Sequence, residues 1–367
     1  MTAIIRAVGS PGEVRIAVIQ DDVLLDYAIW RPGAPDGVGD VYRGRVVSVV
    51  PAMAGVFVSL GTAEGFLPDS SGAKGLTEGD AVNVRVVRAT QSGKGPRLSG
   101  RVDGAVPDGP PGLVSRGPDP LAELAARYPD APVLVNDPGL AADLMPVLGA
   151  RVSVRPGGFD DAIAAAIDTL AEPVVELPGG ARLAIYPTPA LTAIDVDSGG
   201  GMAARGGKTE RHVAVNRAVL PALAAQIRLR NLSGAIVVDL AGLPARRRAA
   251  LGPTLTAALA DDPLLPKFLG FTALGLAEIV RARVRPPLHE VLAGPHAAGL
   301  AALRAALAEV EAAPWFLPVV RASPAVISAL TDDRFALIEF GRRAGPVLTL
   351  RADPSLGPLD WKVENHG

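Results

Sequence analysis

The run Gly234-Ala-Ile-Val-Val-Asp239-Leu240 is the tightest constraint in this 367-residue chain. It is nearly continuous in apolar, β-branched residues and reads as a fully buried central strand. Such a strand needs a sheet with helices packed on it. A second apolar segment, Leu191-Thr-Ala-Ile-Asp195-Val-Asp197-Ser198, also ends in acids. Ligand sites in α/β sheets lie outside the carboxyl ends of strands. A carboxylate buried there without a partner costs several kcal/mol. Asp195 and Asp197 are two apart and share a strand face. If the two strands are neighbours, Asp239 converges on Asp195, and two such carboxylates with open positions can hold a magnesium ion. The alternative is that each aspartate caps the helix or turn that follows. Spacing alone leaves both open.

The rest of the chain frames this segment. Up to about residue 100, short β-branched runs are separated by Gly, Asp and Pro corners, which fits a small closed barrel. Residues 103–118 are rich in Pro and Gly without periodicity and read as a linker. From Asp119 strands and helices alternate, an α/β pattern. Helices are expected over 212–229, 244–261 and 273–283, and strands over 335–340 and 347–350. The chain has no cysteine, which excludes disulfides, thiolate zinc sites and a cysteine nucleophile. No apolar run reaches the ~18 residues of a membrane-spanning helix. Met1–Arg6 shows no basic region leading into an apolar run, so no secretory signal is expected and a cytoplasmic location is. The net charge of −2 argues against a charge-dominated nucleic-acid binder. Within 201–290, however, Lys and Arg outnumber Asp and Glu, which suits either a polyanionic ligand or solvated helix faces.

The motif order Leu191–Ser198, Arg205-Gly-Gly207, Gln226-Ile-Arg-Leu-Arg-Asn-Leu232 and Gly234–Leu240 resembles the catalytic core of the ribonuclease E/G family. Asp40-Val-Tyr-Arg-Gly-Arg-Val, Gly55–Gly61 and Glu64-Gly-Phe66-Leu-Pro68 look like that family's RNA-binding barrel. The resemblance implies an α/β multidomain fold. A ribonuclease-H-like subdomain (1–35 and 119–178) would carry an inserted OB-fold barrel (36–102) and the linker 103–118. A DNase-I-like α/β catalytic subdomain (179–290) and a small α+β C-terminal domain with its linker (291–367) would follow.

By the same resemblance, Asp195 and Asp239 match magnesium ligands, with manganese as the alternative ion. Asp197 stands beside them or acts as a third ligand. Phe57, Phe66 and Lys94 match residues that grip RNA, although on sequence alone both rings also suit a barrel core. Arg246, Arg247 and Arg248 suit phosphate contacts or a solvated helix face. The implied activity is magnesium-dependent endonucleolytic hydrolysis of single-stranded RNA, and the rival is an RNA-binding paralogue with little catalysis.

Departures from the family pattern shape further expectations. The family's Cys-x-x-Cys zinc link is missing, so no zinc is expected, and the chain is expected to be a monomer or a weak homodimer. Asp197 stands where the family usually has Asn. Basic positions are replaced within 253–259 and 272–274, and the family's 5′-end sensor has no counterpart, so cleavage should not distinguish RNA 5′ ends.

Overall fold

Alternation of inward and outward side chains, interrupted by bulges, builds the first of two sheets in the second of the chain's two units. In a computed structural model of the chain, residues 2–61, 63–104, 109–177, 180–197, 208–345 and 348–366 are described. They fall into two units, Met1–Gly39 with Arg116–Ile163 and His289–Gly367, and Asp40–Ser115 with Ala164–Leu288.

In the second unit, strand Val41–Val50 pairs with both Gly55–Ser59 and Ala81–Arg88. Gly55–Ser59 pairs with Glu64–Pro68, which runs parallel to Arg97–Ser99, and that strand returns to Ala81–Arg88. These strands close a barrel of the OB type, whose interior holds Val46, Val56, Val58, Leu67, Val84 and Leu98. Closure leaves no free edge among these strands. Gly112–Ser115 adds to the outer side of Val41–Val50, so the stretch expected as a linker ends in a paired strand.

The same unit contains a six-stranded sheet in the order Val174–Glu176, Arg182–Pro187, Thr192–Asp197, Gly234–Asp239, Ala277–Arg281, Lys267–Phe271. Thr192–Asp197 and Gly234–Asp239 are parallel, and helix Lys208–Leu229 lies between them in sequence. Leu220, Leu223 and Ile227 of this helix, with Leu255 and Leu259 of helix Gly252–Leu259, cluster with Ile194, Val196, Ile236 and Val238. Among the described residues, the opposite face leaves Asp195, Asp197, Asp239, Glu278 and Val280 exposed. Gly234–Asp239 is therefore central but covered on one face, not two: Ile236 and Val238 are buried while Ala235 and Asp239 are exposed.

Two expected helices change. Residues 273–283 contain the strand Ala277–Arg281, with Ala277, Ile279 and Arg281 buried and Glu278 and Val280 exposed. This period-two burial overrides the helix propensity of its Ala and Leu neighbours. The 244–261 helix divides into Ala245–Arg248 and Gly252–Leu259, because Pro253 at the first turn starts a new helix rather than continuing the old one.

In the first unit, a five-stranded sheet runs Val152–Val154, Val133–Val135, Ile4–Ser10, Glu13–Gln20, Val23–Trp30. The C-terminal part packs helices Gly294–Ala312, Pro324–Asp332 and Arg334–Ala344 with strands Pro318–Ala322, Thr349–Ala352 and Trp361–Asn365. Residues 335–340, expected as a strand, lie in the last of these helices. Asp333 caps it by accepting from the Ala336 amide, and Ala336 and Phe340 bury one face at i, i+4. No helix among the described residues is long and apolar enough to cross a membrane.

Glu13, 2% exposed, ties this first unit together through Arg15, Arg31 and Arg304 at 3.0–3.1 Å. Burial pushes its carboxyl pKa up, but the three guanidiniums outweigh burial and hold it below its ordinary value. A depressed folded-state pKa stabilises the fold above the unfolded value of ~4.3, and this contribution is lost as pH falls through the folded value. Glu13→Gln should therefore destabilise the protein by about 2–3 kcal/mol at neutral pH, since the arginines keep some water contact. In thermal melts the gap to wild type should close on acidification.

Candidate functional site

The register of one strand pair fixes the acidic cluster. Thr192–Asp197 and Gly234–Asp239 run parallel with Thr192 opposite Ile236 and Asp195 opposite Asp239. Neighbouring strands lie ~4.8 Å apart, and residues in register point to the same side. Asp195, Asp197 and Asp239 are all exposed, while Ile194, Val196, Ile236 and Val238 face the core. The two predicted carboxylates therefore meet on the exposed face at the carboxyl ends of parallel strands. Neither caps the next helix through a described hydrogen bond. Asp197 lies on the same face and stands opposite Arg182 of the neighbouring antiparallel strand. The predicted motif at Arg205–Gly207 lies outside the described residues.

Two side chains hold this strand end, and the first of them, Asn216, was not singled out from the sequence. Asn216, fully buried in helix Lys208–Leu229, donates to the Ala241 carbonyl at 2.9 Å and accepts from the Ala241 amide at 3.1 Å. Its amide also donates to the His212 carbonyl at 2.7 Å. Asn216 thus pins the chain two residues past Asp239 from both sides. A polar residue at a position facing the core of an amphipathic helix was the available signal. At Gly242, φ is 59°, and a Cβ there would collide with the His212 ring, so glycine is needed for both backbone and space.

Arg248 is the second. Its guanidinium donates to Asp239 Oδ1 at 2.8 Å, to the Gly275 carbonyl at 2.6 Å and to the Leu243 carbonyl at 2.8 Å. The Arg248 side chain is 12% exposed, whereas the Asp239 side chain is 53% exposed. Expected as a phosphate contact or part of a solvated helix face, Arg248 turns back onto Asp239 and is mostly buried. Arg247 is exposed, and the side chain of Arg246 lies outside the described residues.

On the barrel, Phe57 and Phe66 are in register on adjacent strands, with ring centroids 5.4 Å apart in an edge-to-face contact. Their strand neighbours Val56, Val58 and Leu67 fill the interior, so both rings point outward and stay half-exposed. Neither ring is therefore part of the barrel core. Lys94 is exposed at the turn 91–94, where Ser92 and Gly93 both have positive φ.

Residues 159–284 match the Ribonuclease E/G family. Ribonuclease E of Nostoc is 36% identical over 130 residues, covering 35% of this chain and 19% of that protein. Ribonuclease G of Haemophilus influenzae is 23% identical over 397 aligned positions, covering 77% of this chain and 80% of that protein. Ribonuclease G of Escherichia coli is 36% identical over 120 residues, covering 32% of this chain and 24% of that protein. The chain thus spans about a fifth of the cyanobacterial relative and most of the one from Haemophilus.

Outward placement of the rings has a direct consequence for stability. Phe57→Ala loses an edge-to-face contact and should cost about 0.5–1.5 kcal/mol. Leu67→Ala, in the barrel interior, should cost about 2–5 kcal/mol. Chemical denaturation of the two variants side by side checks the difference.

Proposed function

We propose that the chain, whose residues 159–284 match the ribonuclease E/G family, acts as a member of that family: a magnesium-dependent endonuclease that hydrolyses phosphodiester bonds of single-stranded RNA. The observation that carries this reading is the in-register pair Asp195–Asp239 on an exposed sheet face. Two exposed carboxylates with room for water suit a hard, oxygen-seeking cation. Among the described residues no group of three or more His, Asp or Glu is gathered to hold an ion. An ion here would therefore be held by Asp195 and Asp239, with water and a substrate oxygen completing its shell. When bound, it would supply Lewis acidity toward the phosphodiester and lower the pKa of a water molecule.

The chain's own residues perform the other tasks. Phe57 and Phe66 offer a stacking platform for unpaired bases, which favours single strands over duplex. Lys94, exposed on the same barrel, is available to phosphate. Asp197 adds negative charge beside the pair and strengthens its attraction for a cation. Asn216 holds the strand end so that the two carboxylates keep their register. In the overall reaction water adds to phosphorus, the bond to the 3′-oxygen breaks, and that oxygen takes a proton. This leaves 5′-phosphate and 3′-hydroxyl ends. In the same reading the barrel is the RNA-binding module, and the sheet bearing Asp195 and Asp239 belongs to the DNase-I-like catalytic subdomain. The sheet of the first unit is the ribonuclease-H-like subdomain.

The Arg248–Asp239 ion pair favours a second reading, an RNA-binding paralogue with little catalysis, because a cation already occupies one oxygen of Asp239. A 5′-labelled A/U-rich single-stranded RNA separates the two. Cleavage that needs magnesium, stops in EDTA and falls by at least about a hundredfold in Asp195→Asn and Asp239→Asn supports the nuclease. Binding without cleavage supports the paralogue. Arg248→Met should raise manganese affinity roughly tenfold, because it removes ~1–2 kcal/mol of repulsion between neighbouring cations. Titration followed by electron paramagnetic resonance measures this without any RNA present.

A further inference from the structure

The outer face that carries Phe57 and Phe66 continues into arginines. Phe66 is in register with Arg97 on the parallel neighbour strand, and Arg97 is in register with Arg88 on the next. Leu98, beside Arg97, is fully buried in the barrel, so Arg97 shares the outward face with Phe66. By simple alternation Arg88 would point inward with Val84 and Val86. A register shift between Val86 and Arg88 changes that: it sets Arg88 opposite Arg97, on the outer side, next to exposed Val87. Phe57, Phe66, Arg97 and Arg88 thus form one row across four strands, roughly 14 Å long at ~4.8 Å per strand.

A third arginine reaches the end of this row from the other sheet of the same unit. The Ala89 amide donates to the Val284 carbonyl at 2.8 Å, which fastens the end of the barrel strand to the segment that holds Arg283. Arg283 lies over Gly234, where φ is 82° and a Cβ would collide with the guanidinium. Burial first, and then the charges of Arg97 and Arg283, hold the Arg88 guanidinium pKa below its usual value. Among the described residues none of the three arginines pairs with a carboxylate, and Arg88 Nε is buried without a hydrogen-bond partner. Like charges gathered around an unsatisfied donor are costly unless an anion joins them.

We propose that Arg88, Arg97 and Arg283 form a binding site for the phosphodiester backbone of single-stranded RNA, continuous with the Phe57–Phe66 platform. The inference rests on the reading of the chain as an RNA nuclease and adds to it a backbone site shared by the barrel and the Gly234–Asp239 sheet. Bases stack on the two rings while the adjoining phosphates meet the arginines. The basic excess within residues 201–290 thereby finds one specific use at Arg283.

The test uses the full chain and a fluorescent A/U-rich single-stranded RNA without divalent metal, with affinity measured against salt. Each phosphate contact on a single strand contributes a slope of about −0.7 in log K against log salt. Arg97→Gln and Arg283→Gln should each weaken binding several-fold at low salt and make the slope shallower by about 0.7. Phe57→Ala should weaken binding and leave the slope unchanged. Arg88→Gln should behave like the other two, and if it lowers the melting temperature, Arg97→Gln and Arg283→Gln decide. Folded Arg97 and Arg283 variants that keep wild-type affinity and slope would overturn the inference and leave the nuclease reading in place. A wild-type chain that neither binds nor cuts the RNA would overturn both.

Discussion

Everything at the acidic cluster depends on one parallel strand pairing. Asp195 and Asp239 are far apart in sequence, and only the register of Thr192–Asp197 with Gly234–Asp239 places them side by side. A slip of one residue would turn one carboxylate toward the core, because side chains alternate along a strand. The apolar face enforces the register: Ile194, Val196, Ile236 and Val238 must all meet helix Lys208–Leu229. The hydrophobic packing on one side of the sheet thus sets the chemistry on the other. Asn216 links the two by holding the backbone just beyond Asp239 from within the packed face.

The barrel follows the same logic with a different outcome. Its interior is small and aliphatic, so the aromatic rings are left for the outside. Phe57 and Phe66 come together because their strands pair in register, and their edge-to-face contact holds each ring while leaving area for a ligand. A single bulge then re-aims Arg88. Stacking surface and positive charge are thereby laid along one line, which suits a polymer whose bases and phosphates alternate.

Electrostatics reconcile a slightly acidic chain with the polyanionic substrate proposed for it. The net charge of −2 describes an average, and the arginines take distinct duties. Arg15, Arg31 and Arg304 neutralise buried Glu13. Arg281 pairs with Asp262 at 2.7 Å, both side chains 3% exposed. Arg248 sits on Asp239 and tempers the charge of the acidic face. Arg88, Arg97 and Arg283 have no such carboxylate among the described residues. It is these unneutralised arginines, more than the total charge, that define where an anion can bind.

Much of the site was legible in the chain itself. The apolar runs ending in Asp195 and Asp239 declared two strands with acids at their carboxyl ends, because β-branched runs of that length favour extended backbone. The short β segments from Val41 to Ser99 declared a barrel. Ile4–Ser10, Glu13–Gln20 and Val23–Trp30, read from the sequence as part of it, join a separate sheet because they pair with one another and with Val133–Val135. Local pattern failed where tertiary packing outweighed propensity, as at Ala277–Arg281, or where a cap was overlooked, as at Asp333 before helix Arg334–Ala344. Three matters were decided by the tertiary structure alone. Phe57 and Phe66 face outward, since which face of a strand is inside depends on barrel closure. Arg248 turns toward Asp239 rather than solvent, since its position follows from the break between two short helices. Arg88, Arg97 and Arg283 converge, since a bulge and a fastening between two sheets leave no trace in periodicity. Sequence sets which residues can do chemistry, but their meeting is fixed by register, closure and bulge, which arise only when distant segments pack.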